Sequence, residues 1–136
     1  MLLTGCSTVS RSERQRAVTY LDDAQRLLDE GLDDAALATL GLAVQENPKL
    51  TEAYLQIASI HKTRGDYLLA EEQYDTAVEV EPNNFDALYG GALVRQLGGK
   101  LRESVNQYLR ALTVRPQSFL ANRDLSSAYL QLGEPR

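Results

Sequence analysis

Residues 51–84, TEAYLQIASIHKTRGDYLLAEEQYDTAVEVEPNN, form the stretch that decides the fold. Two apolar-periodic runs of about 14 residues flank Gly65, and Pro82 closes the second run. In that second run the apolar side chains fall along one stripe of a helix: Tyr67, Ala70, Tyr74, Ala77 and Val78. Glycine takes the left-handed conformation that ends a helix at low steric cost, and proline cannot continue a helix. The stretch therefore predicts two helices joined by a tight turn.

Glycine, proline and alanine residues recur at matching positions along the chain, at intervals of 34 residues. Repetition at a fixed period is typical of stacked helical hairpins, which bury a continuous core between neighbouring units. The repeated alanines let the helices approach closely, while bulkier residues fill the gaps beside them. The recurring positions are Pro48, Pro82 and Pro116; Gly31, Gly65, Gly99 and Gly133; Ala43, Ala77 and Ala111; and Ala53, Ala87 and Ala121.

The period predicts an all-α chain of about seven helices arranged in antiparallel pairs. The expected helices cover residues 13–30, 33–46, 51–64, 67–80, 85–97, 100–114 and 119–132. Residues 7–16 are expected to be a polar tether ahead of a helical domain at 17–136. Its repeats are predicted at 17–50, 51–84 and 85–118, with a partial repeat at 119–136.

These residues resemble the tetratricopeptide repeat (TPR) family, whose 34-residue pattern combines aromatic, small and proline positions. The second unit matches best, and the resemblance extends over residues 17–136. The resemblance implies a right-handed α-solenoid whose concave groove binds protein or peptide segments. The matching residues of the second unit are Tyr54, Ile57, Ala58, Gly65, Asp66, Tyr67, Ala70, Tyr74, Ala77 and Pro82.

The third unit departs from the family pattern at two places. Ser104 stands where the family has alanine, and Gly90-Gly91 lie in the middle of a predicted helix. Each mid-helix glycine costs about 1 kcal/mol relative to alanine, so the pair needs a reason. Close backbone approach in packing is favoured over a ligand that passes across the groove.

The last predicted helix, residues 119–132, carries more apolar side chains than the outer helix of a finished array usually has. Either a further helix should follow it, or a partner covers it, or the helix is the cap of the array. We therefore expect this helix to be a candidate for self-association. The apolar residues are Leu120, Leu125, Ala128, Tyr129, Leu130 and Leu132.

The resemblance also carries over candidate groove positions, because the first helix of each TPR unit lines the groove at its fifth, sixth and ninth residues. Arg123 is the only cation at these twelve positions. The lysine, asparagine and arginine clamp that holds peptide carboxylates in some TPR co-chaperones is therefore absent, and a segment with apolar anchors is favoured. The predicted partner-binding residues are Leu21, Gln25, Leu55, Gln56, Ser59, Tyr89, Leu93, Arg123 and Ser127; the other three positions hold Asp22, Gly90 and Asp124.

The amino-terminal residues Leu3-Thr4-Gly5-Cys6 resemble a bacterial lipobox, and the polar stretch after them suits a tether. The resemblance implies that residues 1–6 are the remnant of a lipoprotein signal and that Cys6 carries a lipid. It also implies delivery to an outer membrane, facing the periplasm. Five residues precede Cys6 and none is basic, whereas a signal peptide needs a basic start and roughly 7–15 apolar residues. A misplaced start codon, missing residues and an accidental match on a cytosolic chain stay open.

Composition argues against several classes of function. The net charge of −5 disfavours nucleic acid, which requires a basic face. One cysteine and one histidine leave little for metal binding or histidine-based catalysis, and neither a phosphate loop nor a nucleophile elbow is present. We therefore expect a protein without enzymatic activity or cofactors.

The sequence thus favours a protein-binding scaffold, lipid-anchored in a bacterial envelope and aiding assembly of a pilus- or secretion-type complex. Two alternatives remain, namely a cytosolic TPR adaptor and the TPR part of a larger enzyme.

Overall fold

The structure is a computed structural model that describes residues 8–133. These residues form seven α-helices, which confirms the predicted all-α class. The predicted lipobox with Cys6 lies outside the described residues. The helices are α1 (Arg11–Asp29), α2 (Asp33–Glu46), α3 (Thr51–Thr63), α4 (Tyr67–Val80), α5 (Phe85–Leu97), α6 (Leu101–Val114) and α7 (Phe119–Leu132).

All helix ends lie within two residues of the predicted ones. The largest difference is the start of α1, which begins at Arg11 inside the stretch predicted as a tether. Ser10 is the reason, because it caps the helix in a capping box with Glu13. The Ser10 side chain accepts from the Glu13 backbone amide at 3.2 Å, and Glu13 accepts from the Ser10 amide at 2.6 Å.

The glycines of the repeat take the conformation that the sequence predicts. All four have positive φ angles, between 71° and 84°. In the turn after α3, the Gly65 amide donates to the Lys62 carbonyl at 3.0 Å and the Asp66 amide donates to the His61 carbonyl at 2.9 Å. This pair of bonds satisfies carbonyls at the helix end and reverses the chain.

Each repeat proline lies just after the end of a helix. It restricts the residue before it to an extended backbone, as expected. Helices α2, α4 and α6 each end two residues before a proline. The intervening residue is extended in each case, with φ of −139° at Asn47, −131° at Glu81 and −132° at Arg115.

The chain divides into two compact units, Met1–Ala53 and Tyr54–Arg136. In the first unit α1 packs against α2 through small residues that are fully buried. An ion pair between Arg16 and Glu46, at 2.8 Å, joins the two helices at the surface. The buried residues of these helices are Ala17, Ala24, Ala36, Leu40 and Ala43.

The second unit has two core clusters that follow the repeat. One joins Ala58 of α3, Ala70 and Tyr74 of α4, and Val94 of α5. The other joins α5, α6 and α7 through Ala92, Val105, Tyr108 and Ala128. The repeat alanines are buried as predicted, and Tyr74 and Tyr108 are core residues.

Close packing explains the glycine pair in α5, as the sequence favours. A Cβ atom on Gly90 would lie 2.3 Å from Cε1 of Tyr74. A Cβ atom on Gly91 would lie 2.4 Å from Nε2 of Gln107. The glycines therefore let side chains of α4 and α6 press against the α5 backbone.

A charge network centred on Arg95 joins α4, α5 and α6. The Arg95 guanidinium donates to both carboxylate oxygens of Asp75, at 2.8 and 3.0 Å, and lies 3.4 Å from Glu71. Lys100 completes the network by donating to both Glu71 oxygens at 3.0 Å. Since the Arg95 side chain is only 12% exposed, this network holds neighbouring repeats in register.

Among the helices that the structure describes, none is long and apolar enough to cross a membrane.

Candidate functional site: the α5–α7 face

The candidate site is the part of the predicted groove where α5 meets α7. We name it the α5–α7 face and define it by Phe85, Tyr89, Leu93, Arg123 and Ser127. The α5 residues are spaced by four, as are the two α7 residues, so each set lies along one side of its helix. Apolar and aromatic groups of α5 thus lie beside hydrogen-bonding groups of α7.

Tyr89 is fixed in place by three neighbours. Its hydroxyl donates to Oδ2 of Asp124 at 2.5 Å. Its ring stacks on Phe85, with 5.8 Å between ring centroids, and lies at a tilt 6.0 Å from Tyr108. Arg115 in turn covers Phe85, with its guanidinium carbon 4.6 Å from the ring centroid. The half-buried Tyr89 ring is therefore a rigid aromatic platform.

Asp124 is the buried acid of the site and is only 8% exposed. Besides the Tyr89 hydroxyl it binds the Nε–H of Arg123 at 2.8 Å. These charge-assisted bonds offset the cost of burying a carboxylate. Burial, followed by the hydrogen bond and charge of Asp124, raises the pKa of Tyr89 to about 12. Tyr89 is therefore a neutral hydrogen-bond donor at physiological pH.

Two consecutive hydrogen bonds link Ser127 to the core. The hydroxyl of the fully buried Tyr108 donates to Oε1 of Gln96 at 2.8 Å. The Gln96 amide then donates to Oγ of Ser127 at 3.3 Å. Burial raises the pKa of Tyr108, so this phenol also stays protonated. The polar edge of the face is thus connected to the core of the unit.

The predicted α3 residues have different surroundings. Leu55 packs against the core cluster of Ala58 and Tyr74, which makes it partly structural. Gln56 is half-buried, and its Oε1 has no hydrogen-bond partner among residues 8–133. Ser59 is exposed. Of the α3 residues, Ser59 therefore has the clearest access to a ligand.

Leu21 and Gln25 belong to α1 of the first unit. Leu21 is half-buried, and Gln25 is exposed and donates to Asp29 at 3.0 Å. The face described above comprises residues of the second unit only.

Asp124 and Gln96 hold the site together, and neither was predicted as a partner-binding residue. Asp124 stands at a groove position of the family pattern, but its burial depends on Tyr89, which lies 35 residues earlier. A tyrosine and an acid about one repeat apart, both on groove positions, are the signal that could have identified this pair.

Within the part of the chain that the structure describes, no group of three or more histidine, cysteine, aspartate or glutamate side chains is placed to hold a metal ion. His61, the lone histidine, is 18% exposed, with Nδ1 3.9 Å from Oδ2 of Asp66.

Comparison with known proteins identifies the repeat. The family model described as Tetratricopeptide repeat matches residues 51–84, the stretch that carries the strongest sequence pattern. The first TPR of Spaghetti (RPAP3), solved with an HSP90 peptide SRMEEVD, superimposes with a TM-score of 0.85 at 21% identity, covering 89% of this chain and 96% of that one. The family match covers one repeat, and the fold of the solved TPR domain extends over 89% of this chain.

Other solved TPR domains have the same fold. The second TPR domain of human RPAP3, in complex with an HSP70 peptide SGPTIEEVD, gives a TM-score of 0.80 at 18% identity, covering 85% of this chain and 97% of that domain. MamA gives a TM-score of 0.80 at 22% identity, covering 86% of this chain and 68% of that protein.

The sequence relatives are much longer proteins. Superkiller complex protein 3 of Homo sapiens is 24% identical over 107 residues, which cover 79% of this chain and 7% of the relative. TPR repeat-containing thioredoxin TTL4 of Arabidopsis thaliana is 30% identical over 84 residues, which cover 62% of this chain and 12% of that protein. The chain thus spans a small part of the length of the curated relatives that it matches.

Proposed function

We propose that this TPR protein is a non-catalytic adaptor that holds a segment of a partner protein against the α5–α7 face. The observation that carries the proposal is the fixed position of Tyr89, which Asp124 and Phe85 hold before any ligand arrives. A preorganised aromatic group loses little conformational entropy on binding. Tyrosines in such settings are typical binding hot spots.

The chemistry of the face favours a segment with an apolar anchor. Tyr89 and Leu93 offer apolar surface one helical turn apart. Ser127 and the exposed Arg123 offer hydrogen bonds beside it. Because Arg123 already binds Asp124 at 2.8 Å, a carboxylate-rich peptide would have to compete with an intramolecular acid.

A chaperone tail is the second candidate partner. It is favoured by the two similar RPAP3 domains, whose structures contain an HSP90 and an HSP70 peptide. The shared fold makes peptide binding a reasonable mode for this chain. The absence of a cationic clamp at its groove positions makes an acidic tail the weaker choice.

A peptide selection tests the proposal. We expect displayed random peptides selected on the whole chain to contain apolar anchors. Leu93→Ala should weaken a selected peptide about tenfold, and Arg123→Ala should also weaken it, because both side chains lie on the face. Leu109→Ala is the matched control, since Leu109 is 44% exposed on α6.

The synthetic peptide SRMEEVD distinguishes the second candidate. Binding of this peptide that is tighter than that of the selected peptides, and that is lost in Arg123→Ala, would favour a chaperone tail. Equal affinity of all variants for every peptide would contradict both candidates.

The comparisons favour an adaptor over the envelope-assembly role, because the relatives give no support for a lipoprotein.

Lipid attachment at Cys6 and an outer-membrane location are proposed from the lipobox resemblance alone. A mass measurement on the native protein tests them. A diacylglyceryl group on Cys6, lost in Cys6→Ser, is the expected result, and an unmodified Cys6 in the native protein would contradict it.

Self-association through α7 is proposed from its exposed apolar residues. Phe119 is 74% exposed and Leu130 is 76% exposed, and Leu120 adds a third apolar group. Phe119 and Leu120 are adjacent at the start of α7, and contiguous exposed apolar surface is typical of interaction sites.

A further inference from the structure

A second surface of the Tyr54–Arg136 unit lies away from the residues that define the α5–α7 face. It is an open cleft of about 470 Å³ between the beginning of α4 and the turn that joins α5 to α6. Its apolar wall consists of Tyr67, Leu68, Leu69 and Val94. The volume is within the roughly 300–1,000 Å³ range of ligand-binding clefts.

The floor of the cleft is held rigid by ion pairs. Glu71 and Lys100 both line it and are joined by two contacts of 3.0 Å. Glu71 also lies 3.4 Å from Arg95. Glu71 and Lys100 therefore compensate each other's charge, and the exposed Asp66 adds an acidic group to the lining.

Two leucines of the cleft leave a large part of their surface exposed. Leu68 is 68% exposed and Leu69 is 46% exposed. Leu97, at the end of α5, is 49% exposed close to the turn. A partner that covered the exposed parts of these side chains would gain their burial.

The surroundings of the cleft are strongly acidic. Between Arg64 and Arg95 the sequence has seven aspartates and glutamates and no lysine, arginine or histidine. On α4, Glu72 and Glu79 are exposed, and they follow Leu68 at spacings of four and eleven residues. These spacings place the three residues on one side of the helix, so exposed apolar and acidic groups share a surface.

We propose that the cleft and the outer side of α4 bind an amphipathic segment of a partner protein that carries apolar anchors flanked by lysine or arginine. The anchors enter the apolar cleft, and the cations lie against Glu72 and Glu79. The acidic side chains of this surface favour a basic segment, which makes a second copy of this acidic chain a poorer occupant of this cleft. The inference does not depend on the α5–α7 face.

The test uses the whole chain and a defined probe. The probe is a fluorescein-labelled synthetic helix of leucines and lysines at amphipathic spacing, and the measurement is fluorescence anisotropy. Leu68→Ser should weaken binding about tenfold, and Glu72→Gln with Glu79→Gln should weaken it about threefold and reduce its dependence on salt. Leu109→Ser on α6, 44% exposed, is the matched control and should leave binding unchanged.

Three outcomes would overturn the proposal. The probe fails to bind the wild-type chain, Leu109→Ser weakens binding as much as Leu68→Ser, or a helix with glutamate in place of lysine binds equally well. Thermal unfolding of each variant checks that the fold is intact, and Leu69→Ser provides a second variant in the same wall. A peptide that binds the α5–α7 face should not displace the probe. Loss of binding at one surface can therefore be distinguished from loss of binding at the other.

Discussion

Gly90 and Gly41 are both helical glycines, yet their surroundings differ. A Cβ atom on Gly90 would lie 2.3 Å from the Tyr74 ring, while a Cβ atom on Gly41 would meet nothing within 4 Å. Helix propensity alone favours alanine over glycine by about 1 kcal/mol at either position. The Tyr74 ring must move if a methyl group is added at Gly90, and the core allows little movement.

We therefore predict opposite effects for the two substitutions. Gly41→Ala should raise the free energy of unfolding by up to about 1 kcal/mol. Gly90→Ala should lower it by about 1–3 kcal/mol, the usual cost of overpacking a core. Urea unfolding measures both, and a stabilising Gly90→Ala would show that the ring is not packed against α5.

The Tyr89 hydroxyl has a predictable response to alkaline pH. Its folded pKa is about 12, against about 10 for an ordinary tyrosine. A raised pKa means that this contribution to stability is fully present below pH 10 and is lost as the pH rises from about 10 towards 12. Tyr89→Phe should therefore lose less stability than the wild type over this range in urea unfolding. Identical losses would contradict the raised pKa of Tyr89, which burial and then the hydrogen bond to Asp124 produce.

At the scale of elements, Arg95 connects α5 to α4 by its paired bonds to Asp75. Replacing it by alanine removes charge-assisted bonds and leaves the 16%-exposed Glu71 with Lys100 alone. We predict that Arg95→Ala lowers the free energy of unfolding by about 2 kcal/mol. Arg110→Ala, at an exposed position of α6, is the control and should change it little. Equal effects in chemical denaturation would mean that the network adds no specific stability.

The order and ends of the elements followed from the sequence because local chemistry sets them. Gly65 and Pro82 end helices through the backbone conformations that they allow at and beside their own positions. Their recurrence therefore locates the helix ends along the chain. The early start of α1 was missed because the Ser10–Glu13 capping box lies in a polar stretch that has no apolar period. Packing at Gly90 was expected, but its partner, Tyr74, could be named only from the structure.

The site was less predictable than the helices. Repeat positions placed Tyr89, Arg123 and Ser127 on adjoining helices, and the structure brings them together. The hydrogen bonds of Asp124 and Gln96 join residues 35 and 31 positions apart, and such pairs depend on how side chains pack between repeats. The groove residues remain predictions as binding residues.

At the scale of the whole molecule, the exposed residues of α7 predict weak association between copies. Leu130→Lys would place a charge at the 76%-exposed position without disturbing the core. Sedimentation equilibrium over a range of concentrations should show association of the wild-type chain that this variant reduces. A wild-type chain that is monomeric at every concentration would exclude α7 as a self-association surface.

Amide mapping by nuclear magnetic resonance directly locates the surface that binds a peptide. A peptide selected on the whole chain is titrated into the isotope-labelled protein, and the shift of each backbone amide is followed. We predict the largest changes at Tyr89, Leu93, Arg123 and Ser127, with little change at Leu109 on α6. Changes confined to α6, or spread evenly over the chain, would contradict a binding site on the α5–α7 face.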